Sequence, residues 1–204
     1  MANDTILIST AYLPPVSYMK ACLGAGEIIL ESREHFIKQS YRNRCKIYSA
    51  NGPLSLVIPV QHKNLYTDPI SKVAMSDDVA WKNIHWRSIT SAYRKSPFFE
   101  FYEEDIKSLY ETDEINLFNF NLNCLNLLFK LLKLQASIKH TEIYEVEANP
   151  KDLRTSIHPK CPPNESAVRY HQVFEDRHGF IPDLSVLDLL CNLGPESKKY
   201  LLSY

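Results

Sequence analysis

Three cations fall within five residues in Arg42-Asn43-Arg44-Cys45-Lys46, and the lead-in His35-Phe36-Ile37-Lys38-Gln39-Ser40-Tyr41 is rich in hydrogen-bonding groups. On an extended chain the two-residue side-chain period puts Arg42, Arg44 and Lys46 on one face and Tyr41, Asn43 and Cys45 on the other. Two forked guanidiniums side by side suit phosphate or carboxylate, because each can bond two oxygens at once. A solvated, basic strand face is the competing reading. The run defines an anion-binding candidate and leaves the reaction open.

Other side chains with chemistry are scattered. Among seven histidines, His171 and His178 flank a turn without a third ligand at metal spacing, so no metal site is expected. His85 falls on the apolar face of its helix, either as a satisfied core histidine or as a base. Glu100, Glu103, Glu104 and Asp105 form an acidic helix surface, with Glu100 closing the aromatic pair Phe98-Phe99. Asp188 lies inside the apolar stripe of Leu184, Leu187 and Cys191. A buried carboxylate needs a cation, several donors, or its own proton. Arg42, Arg44 and His171 are its candidate partners, in a structural ion pair or in catalysis. There is no G-x-S-x-G elbow, Walker loop or dinucleotide fingerprint, and five glycines are too few for a backbone phosphate cradle. Phosphate would be held by side chains.

The totals narrow the class. A chain of 204 residues can bury roughly 70% of its unfolded surface without disulfide staples. With 23 basic and 24 acidic residues the net charge is -1, which argues against a nucleic-acid partner. Five dispersed cysteines without CxxC or zinc spacing read as reduced core residues in a cytoplasmic protein. Leu122 to Leu134 is interrupted by Asn123, Asn126, Lys130 and Lys133, so no membrane insertion is expected.

The elements that must position these groups follow from periodicity. Thr5 to Ser9 reads as a buried strand, Tyr12 to Pro15 as a stiff loop, and Val16 to Leu23 as a helix ended by Gly24-Ala25-Gly26 in a left-handed cap. Glu27 to Glu31 then completes a right-handed β-α-β crossover with parallel strands. Ligands in such units bind beyond the carboxyl ends of the strands, where the Tyr12 loop and residues 32–44 would lie. Cys45 to Ser49 and Leu54 to Val60 suggest a hairpin through Asn51-Gly52. Ile70 to Met75 reads as a strand, with Asp77 or Asp78 capping the next helix. Helices are expected over Trp81 to Ser96, Phe98 to Tyr110 and Leu117 to Leu134, then a strand at Thr141 to Val146. Ala148 to Ala167, with four prolines, should be irregular and exposed; Lys151, Arg154 and Lys160 could make it a cover over a site, and a passive excursion is the alternative. Arg169 to Phe174 reads as a C-terminal strand, Leu184 to Leu193 as a short helix broken at Gly194-Pro195, and a helical turn ends the chain. The expected fold is a single α/β domain over 1–204. A mixed sheet begins with the crossover and hairpin (1–78, mainly α/β), a helical segment follows (79–135), and an irregular Pro-rich excursion spans 147–168.

Longer motifs carry a resemblance. Tyr12-Leu13-Pro14-Pro15-Val16-Ser17-Tyr18, Lys38-Gln39-Ser40-Tyr41-Arg42-Asn43-Arg44-Cys45 and Leu56-Val57-Ile58-Pro59-Val60 resemble the WbqC-like protein family. His85-Trp86-Arg87-Ser88-Ile89, Ala92-Tyr93 and Pro97-Phe98-Phe99-Glu100 continue the match. Tyr170-His171-Gln172-Val173-Phe174 and Leu184-Ser185-Val186-Leu187-Asp188-Leu189-Leu190 are similar to the compact branch of Bacteroidetes-type bacteria. Other branches carry Gln-Pro before the Tyr-Leu-Pro, where this chain has Thr10-Ala11. The resemblance implies a bacterial protein of surface-polysaccharide gene clusters with a glycyl- or amino-acyl-transferring role.

A transferase would hold a small anionic substrate on Arg42 and Arg44, line the acceptor pocket with Tyr12 and Tyr41, and move a proton on His171 or Asp188. Tyr18, Lys38, Gln39, Asn43, His85, Tyr93, Glu100, Tyr170 and Gln172 complete the substrate-binding candidates. A non-catalytic nucleotide- or anion-binding module and an adenylyl-transfer enzyme are the alternatives. The cofactor stays unidentified, and a homo-oligomer stays open.

Overall fold

A computed structural model describes residues 4–77, 80–144, 151–161 and 167–203. Strand β1 (Thr5–Ser9), helix α1 (Val16–Leu23) and strand β2 (Glu27–Glu31) form the expected crossover, with β1 and β2 parallel and Ile6 opposite Ile28, Ile8 opposite Leu30. Ile6, Leu7 and Ile8 are all buried, the pattern of a strand covered on both faces. Strands β3 (Arg44–Ser49) and β4 (Gly52–Val57) make an antiparallel hairpin. Helices α2 (Trp81–Tyr93), α3 (Phe99–Ser108) and α4 (Leu117–Leu132) follow, then β5 (Ser137–His140) and the short β6 (Lys151–Asp152). The chain closes with α5 (Glu175–His178), α6 (Val186–Leu193), a 3-10 turn (Gly194–Glu196) and α7 (Ser197–Ser203).

The architecture is α/β, with one four-stranded parallel sheet in the order β5-β2-β1-β6 and a separate two-stranded hairpin. Several local expectations are corrected. Gly24 ends α1 in right-handed geometry (φ -78°). The hairpin turns on Ala50-Asn51, and Gly52 (φ 95°) already pairs with Ser49. Residues 70–75 give a 3-10 turn, Ile70–Lys72, with only isolated bridges at Ala74 and Met75. Helix α2 has Ala80 at its N-cap, with no side-chain cap; Asp78 lies outside the described residues. The strand expected at Thr141 is instead β5, just before it, and residues 145 and 146 lie outside the description. Residues 169–174 form no strand.

Two distant contacts fix the first helix. Pro15 precedes α1 and offers no cap of its own, so Asp183 supplies it: the Ser17 amide and hydroxyl donate to its two oxygens at 2.8 and 3.0 Å. The C-terminal segment thereby serves the element that begins the fold. Helix α4 is capped locally, by the Asn116 side chain accepting from the Asn119 amide at 3.0 Å.

At Gly194 the backbone turns at φ 53°, and a Cβ placed there would run into the Phe98 ring. Both conformation and space demand glycine. Gly194→Ala is expected to cost about 2–5 kcal/mol, the sum of left-handed strain and overpacking, measured by urea unfolding. A loss under about 0.5 kcal/mol would contradict this account of the turn.

Candidate functional site

From β1 the chain crosses to β2 on one side and later returns as β6 on the other. The carboxyl ends of β1 and β6 therefore flank a topological switch point, where open parallel sheets form their crevice. Ser9, Thr10 and Ala11 leave β1 there, and Leu153 and Arg154 leave β6; Tyr18, Tyr41 and Arg42 close the sides. The inner slot is only about 10 Å³, at most one water. Outside it lies a cavity of about 480 Å³ lined by Arg33, Glu34, His35, Ile37, Arg42, Tyr144, Arg154 and Thr155.

A buried ion-pair network builds this rim. Arg42 donates from Nε to Glu34 Oε1 at 2.8 Å and from Nη2 to Glu34 Oε2 at 2.5 Å. Its Nη2 also donates to Ser9 Oγ at 2.8 Å, and Ser9 Oγ donates to Glu34 Oε2 at 3.1 Å. The Tyr18 hydroxyl donates to the Ser9 carbonyl at 3.0 Å. Burial pushes the Glu34 carboxyl up, while the Arg42 guanidinium draws it back down. Beside this pair, Arg154 donates to the fully buried Glu31 at 3.0 Å and clasps Asp152, holding the Asp152 carboxyl below its ordinary range. Glu31 also accepts from Thr141 Oγ1 at 2.6 Å, and the Arg154 guanidinium lies over the Tyr144 ring at 5.1 Å. Three of the five N–H groups of Arg42 are thus committed to Glu34 and Ser9. Its two Nη1 hydrogens have no protein acceptor among the described residues.

The residues singled out from the sequence separate into different places. Tyr18, Tyr41 and Arg42 meet at the crevice. Arg44 stays on β3, half-buried, with its Nε lacking a partner among the described residues. His158 is held below the ordinary imidazole range by burial and by nearby Lys160, Arg42 and Arg44. Asn43 bonds reciprocally with Ile58, its side chain donating to the Ile58 carbonyl at 2.8 Å. Lys38 is exposed over the Tyr66 ring, Gln39 is exposed at φ 59°, and Glu100 is exposed on the acidic surface of α3.

Tyr12 is fully buried, so it does not line an open acceptor pocket. Its hydroxyl meets His85 Nδ1 at 2.9 Å and the Tyr110 hydroxyl at 2.7 Å. Burial drives the His85 ring down to about 4, so it is neutral near pH 7. His85 borders a second cavity of about 350 Å³ with Trp81, Ile84, Leu56 and Val57.

Asp188 has a cage of neutral donors in place of the expected cation. Tyr170 and Gln172 donate to its Oδ2 at 2.7 and 2.9 Å, and the Tyr93 hydroxyl stands nearby. Arg42 is engaged by Glu34, and His171 is exposed against Glu175 at 3.3 Å, so neither supplies that cation. Burial carries the Asp188 carboxyl up to about 6, with Oδ1 unpartnered among the described residues.

Ser9, Glu31 and Glu34 are the rim residues that residue typing alone passes over. The placement of residues 32–44 beyond the strand ends was the signal that could have found Glu34. Arg154, expected in an excursion, is anchored instead by β6. Among the described residues no group of three or more His, Cys, Asp or Glu could hold a metal ion, and no helix is long and apolar enough to cross a membrane.

Fold and rim together define an α/β protein with an arginine–carboxylate cavity at the carboxyl edge of a parallel sheet. The model of the WbqC-like protein family matches residues 10–165, which include Arg33, Glu34, Arg42 and Arg154. The chain belongs to the WbqC-like protein family. It is also similar to an uncharacterized protein of Mycobacterium tuberculosis, Rv1507c, at 23% identity over 222 residues, covering 96% of each chain. No solved structure matches.

Two measurements test the energetics. Arg42→Ala strands a buried carboxylate and is expected to cost about 3–5 kcal/mol, with Arg42→Ala/Glu34→Ala losing less than Arg42→Ala alone. Equal loss in single and double variants, by urea unfolding, would refute a coupled pair. Asp188 binds its proton more tightly folded than unfolded, so its contribution is complete below about pH 4 and is lost as pH rises through about 6. In Asp188→Asn this decline, up to about 3 kcal/mol, should vanish from the pH–stability profile; a profile parallel to wild type would contradict it.

Proposed function

We propose that the protein is a transferase acting on a small substrate that carries a phosphate or carboxylate. The substrate enters the rim cavity beside Arg33, Arg42 and Arg154. Amino-acyl transfer in surface-polysaccharide biosynthesis, which the family resemblance implies, is the reaction we assign. The observation that carries this reading is the Arg42 guanidinium, locked on one edge by Glu34 and Ser9 and with no protein acceptor at Nη1 among the described residues. A guanidinium held this way meets an oxyanion without losing side-chain freedom at the moment of binding. Its partner carboxylate keeps the cavity from accumulating unbalanced charge.

In this reading the proton carrier is Glu34, because it reaches the cavity; His171 and Asp188 have their hydrogen-bond partners elsewhere. A specific observation also favours a non-catalytic anion-binding module: Arg42 and Arg154 are both already paired with carboxylates, a rigid arrangement that serves retention as well as reaction. Turnover separates the two.

The test is a thermal-shift screen of wild type, Arg33→Ala and Arg42→Lys against inorganic phosphate, nucleotides, nucleotide-sugars and amino acids. A ligand at a hundredfold excess over its Kd stabilises by about 2.7 kcal/mol. The expected outcome is a rise in wild-type Tm with at least one anionic compound, weakened at least tenfold in apparent affinity by either substitution. No shift with any anion, or wild-type affinity in both variants, would end the proposal.

A further inference from the structure

The rim carries a second arrangement, resting on the transferase reading above. Ser9 is the last residue of β1, at the switch point, and its Oγ donates to Glu34 Oε2 at 3.1 Å. Arg42 holds Glu34 through both carboxylate oxygens, at 2.8 and 2.5 Å, and gives a further hydrogen bond to Ser9 Oγ at 2.8 Å. A hydroxyl bonded to a base, with the base oriented by a third group, is the arrangement that generates an activated nucleophile in unrelated folds. All three residues are nearly buried, at 9%, 7% and 3% exposure, so their interactions act in a low-dielectric setting. Two features favour chemistry at the hydroxyl. Burial raises the proton affinity of Glu34, and the guanidinium is placed to stabilise negative charge developing on Oγ.

We infer that Ser9 is the nucleophile of a covalent, two-step acyl transfer, with Glu34 as its base and Arg42 as the group that orients both. The donor class is an activated acyl compound: an ester, a thioester or an acyl phosphate. In the first step the Ser9 Oγ–carbonyl carbon bond forms and the bond to the leaving group breaks. The Ser9 proton passes to Glu34, and the leaving group departs with the bonding electron pair; Glu34 then gives the proton to the leaving group, or to water where the leaving group stays anionic, and is a carboxylate again before the second step. In the second step an acceptor amine or hydroxyl attacks the Ser9 ester and gives its proton to Glu34. The Ser9–acyl bond then breaks, and that proton returns to Oγ. No oxidant or reductant is required. The main chain of Arg154 passes 3.5 Å from Ser9 Oγ and covers the slot, so the 153–157 segment must shift for a donor to reach the hydroxyl.

The test is active-site labelling of the full chain with an alkyl fluorophosphonate, which forms an Oγ–phosphorus bond and releases fluoride. Mass mapping of the labelled wild-type protein is expected to place one adduct on Ser9. Labelling is expected to be lost in Ser9→Ala, to slow by about 100-fold or more in Glu34→Gln, and to persist in the control Ser88→Ala, a half-buried serine beside the second cavity and outside the rim. Because the mapping is made on wild type, it stands even if a rim variant folds poorly. An adduct elsewhere, or none, would overturn the nucleophile assignment. If labelling fails while the anion-induced Tm shift persists, the covalent step falls and direct transfer remains; if the shift is absent while Ser9 is labelled, the anion-binding reading falls instead.

Discussion

Arg42 and Glu34 cannot be separated without leaving a charge in the interior, and much of the rim depends on that constraint. The pair bridges two parts of the chain that would otherwise diverge: the exit of β2 and the entry to β3. Through Ser9 it also reaches the end of β1. The main chain is tied in as well, since Tyr12 donates its amide to the Tyr41 carbonyl at 2.8 Å and Asn121 of α4 donates its side chain to the Arg42 carbonyl at 2.8 Å. Sheet, hairpin and helical layer thus meet at Arg42 and its neighbour Tyr41, through the guanidinium and the main chain together. A buried ion pair contributes little net stability compared with apolar residues of equal volume, whereas it specifies geometry where it is retained.

The second organising contact comes from the other end of the chain. Asp183 caps α1, Ser185 bridges to Pro15, and Ser185 donates its amide to the Lys46 carbonyl. Around Asp188, Tyr170 and Gln172 are drawn in from an irregular segment, and Tyr48 of the hairpin donates its hydroxyl to the Phe174 and Gly179 carbonyls. The carboxylate is thus the centre of a joint between the C-terminal helices and the hairpin.

How much of this could be read in advance depended on the range of the interactions. The crossover was legible because Ile6-Leu7-Ile8 and Ile28-Ile29-Leu30 are short apolar runs around an amphipathic helix. The hairpin and α2 to α4 were legible for the same local reason. Residues 169–174 misled because Tyr170 and Gln172 are buried while Arg169 and His171 are exposed, an alternation that mimics a strand. Its source is the Asp188 cage, with no ladder present. Strand β5 was missed because Ser137-Ile138-Lys139-His140 is largely exposed and has little apolar contrast. At the site, the basic run was visible as a run. Its division was not: Arg42 turns inward to a glutamate eight positions away, while Arg44 remains on the hairpin. The pairing of Arg154 with Glu31 spans 123 positions, beyond any periodicity.

Both tryptophans of the chain sit on α2, and this sets what light can report. Trp81 packs edge-on against His85 and against Phe120 at 5.5 Å, while Trp86 stacks on Phe99. Neither lines the arginine cavity. Intrinsic emission therefore samples the seam between hairpin and helices, one residue removed from the Asn121–Arg42 link. A fluorescence change upon occupation of the rim would signal that α4 had shifted and carried the event through Phe120 into the aromatic interior.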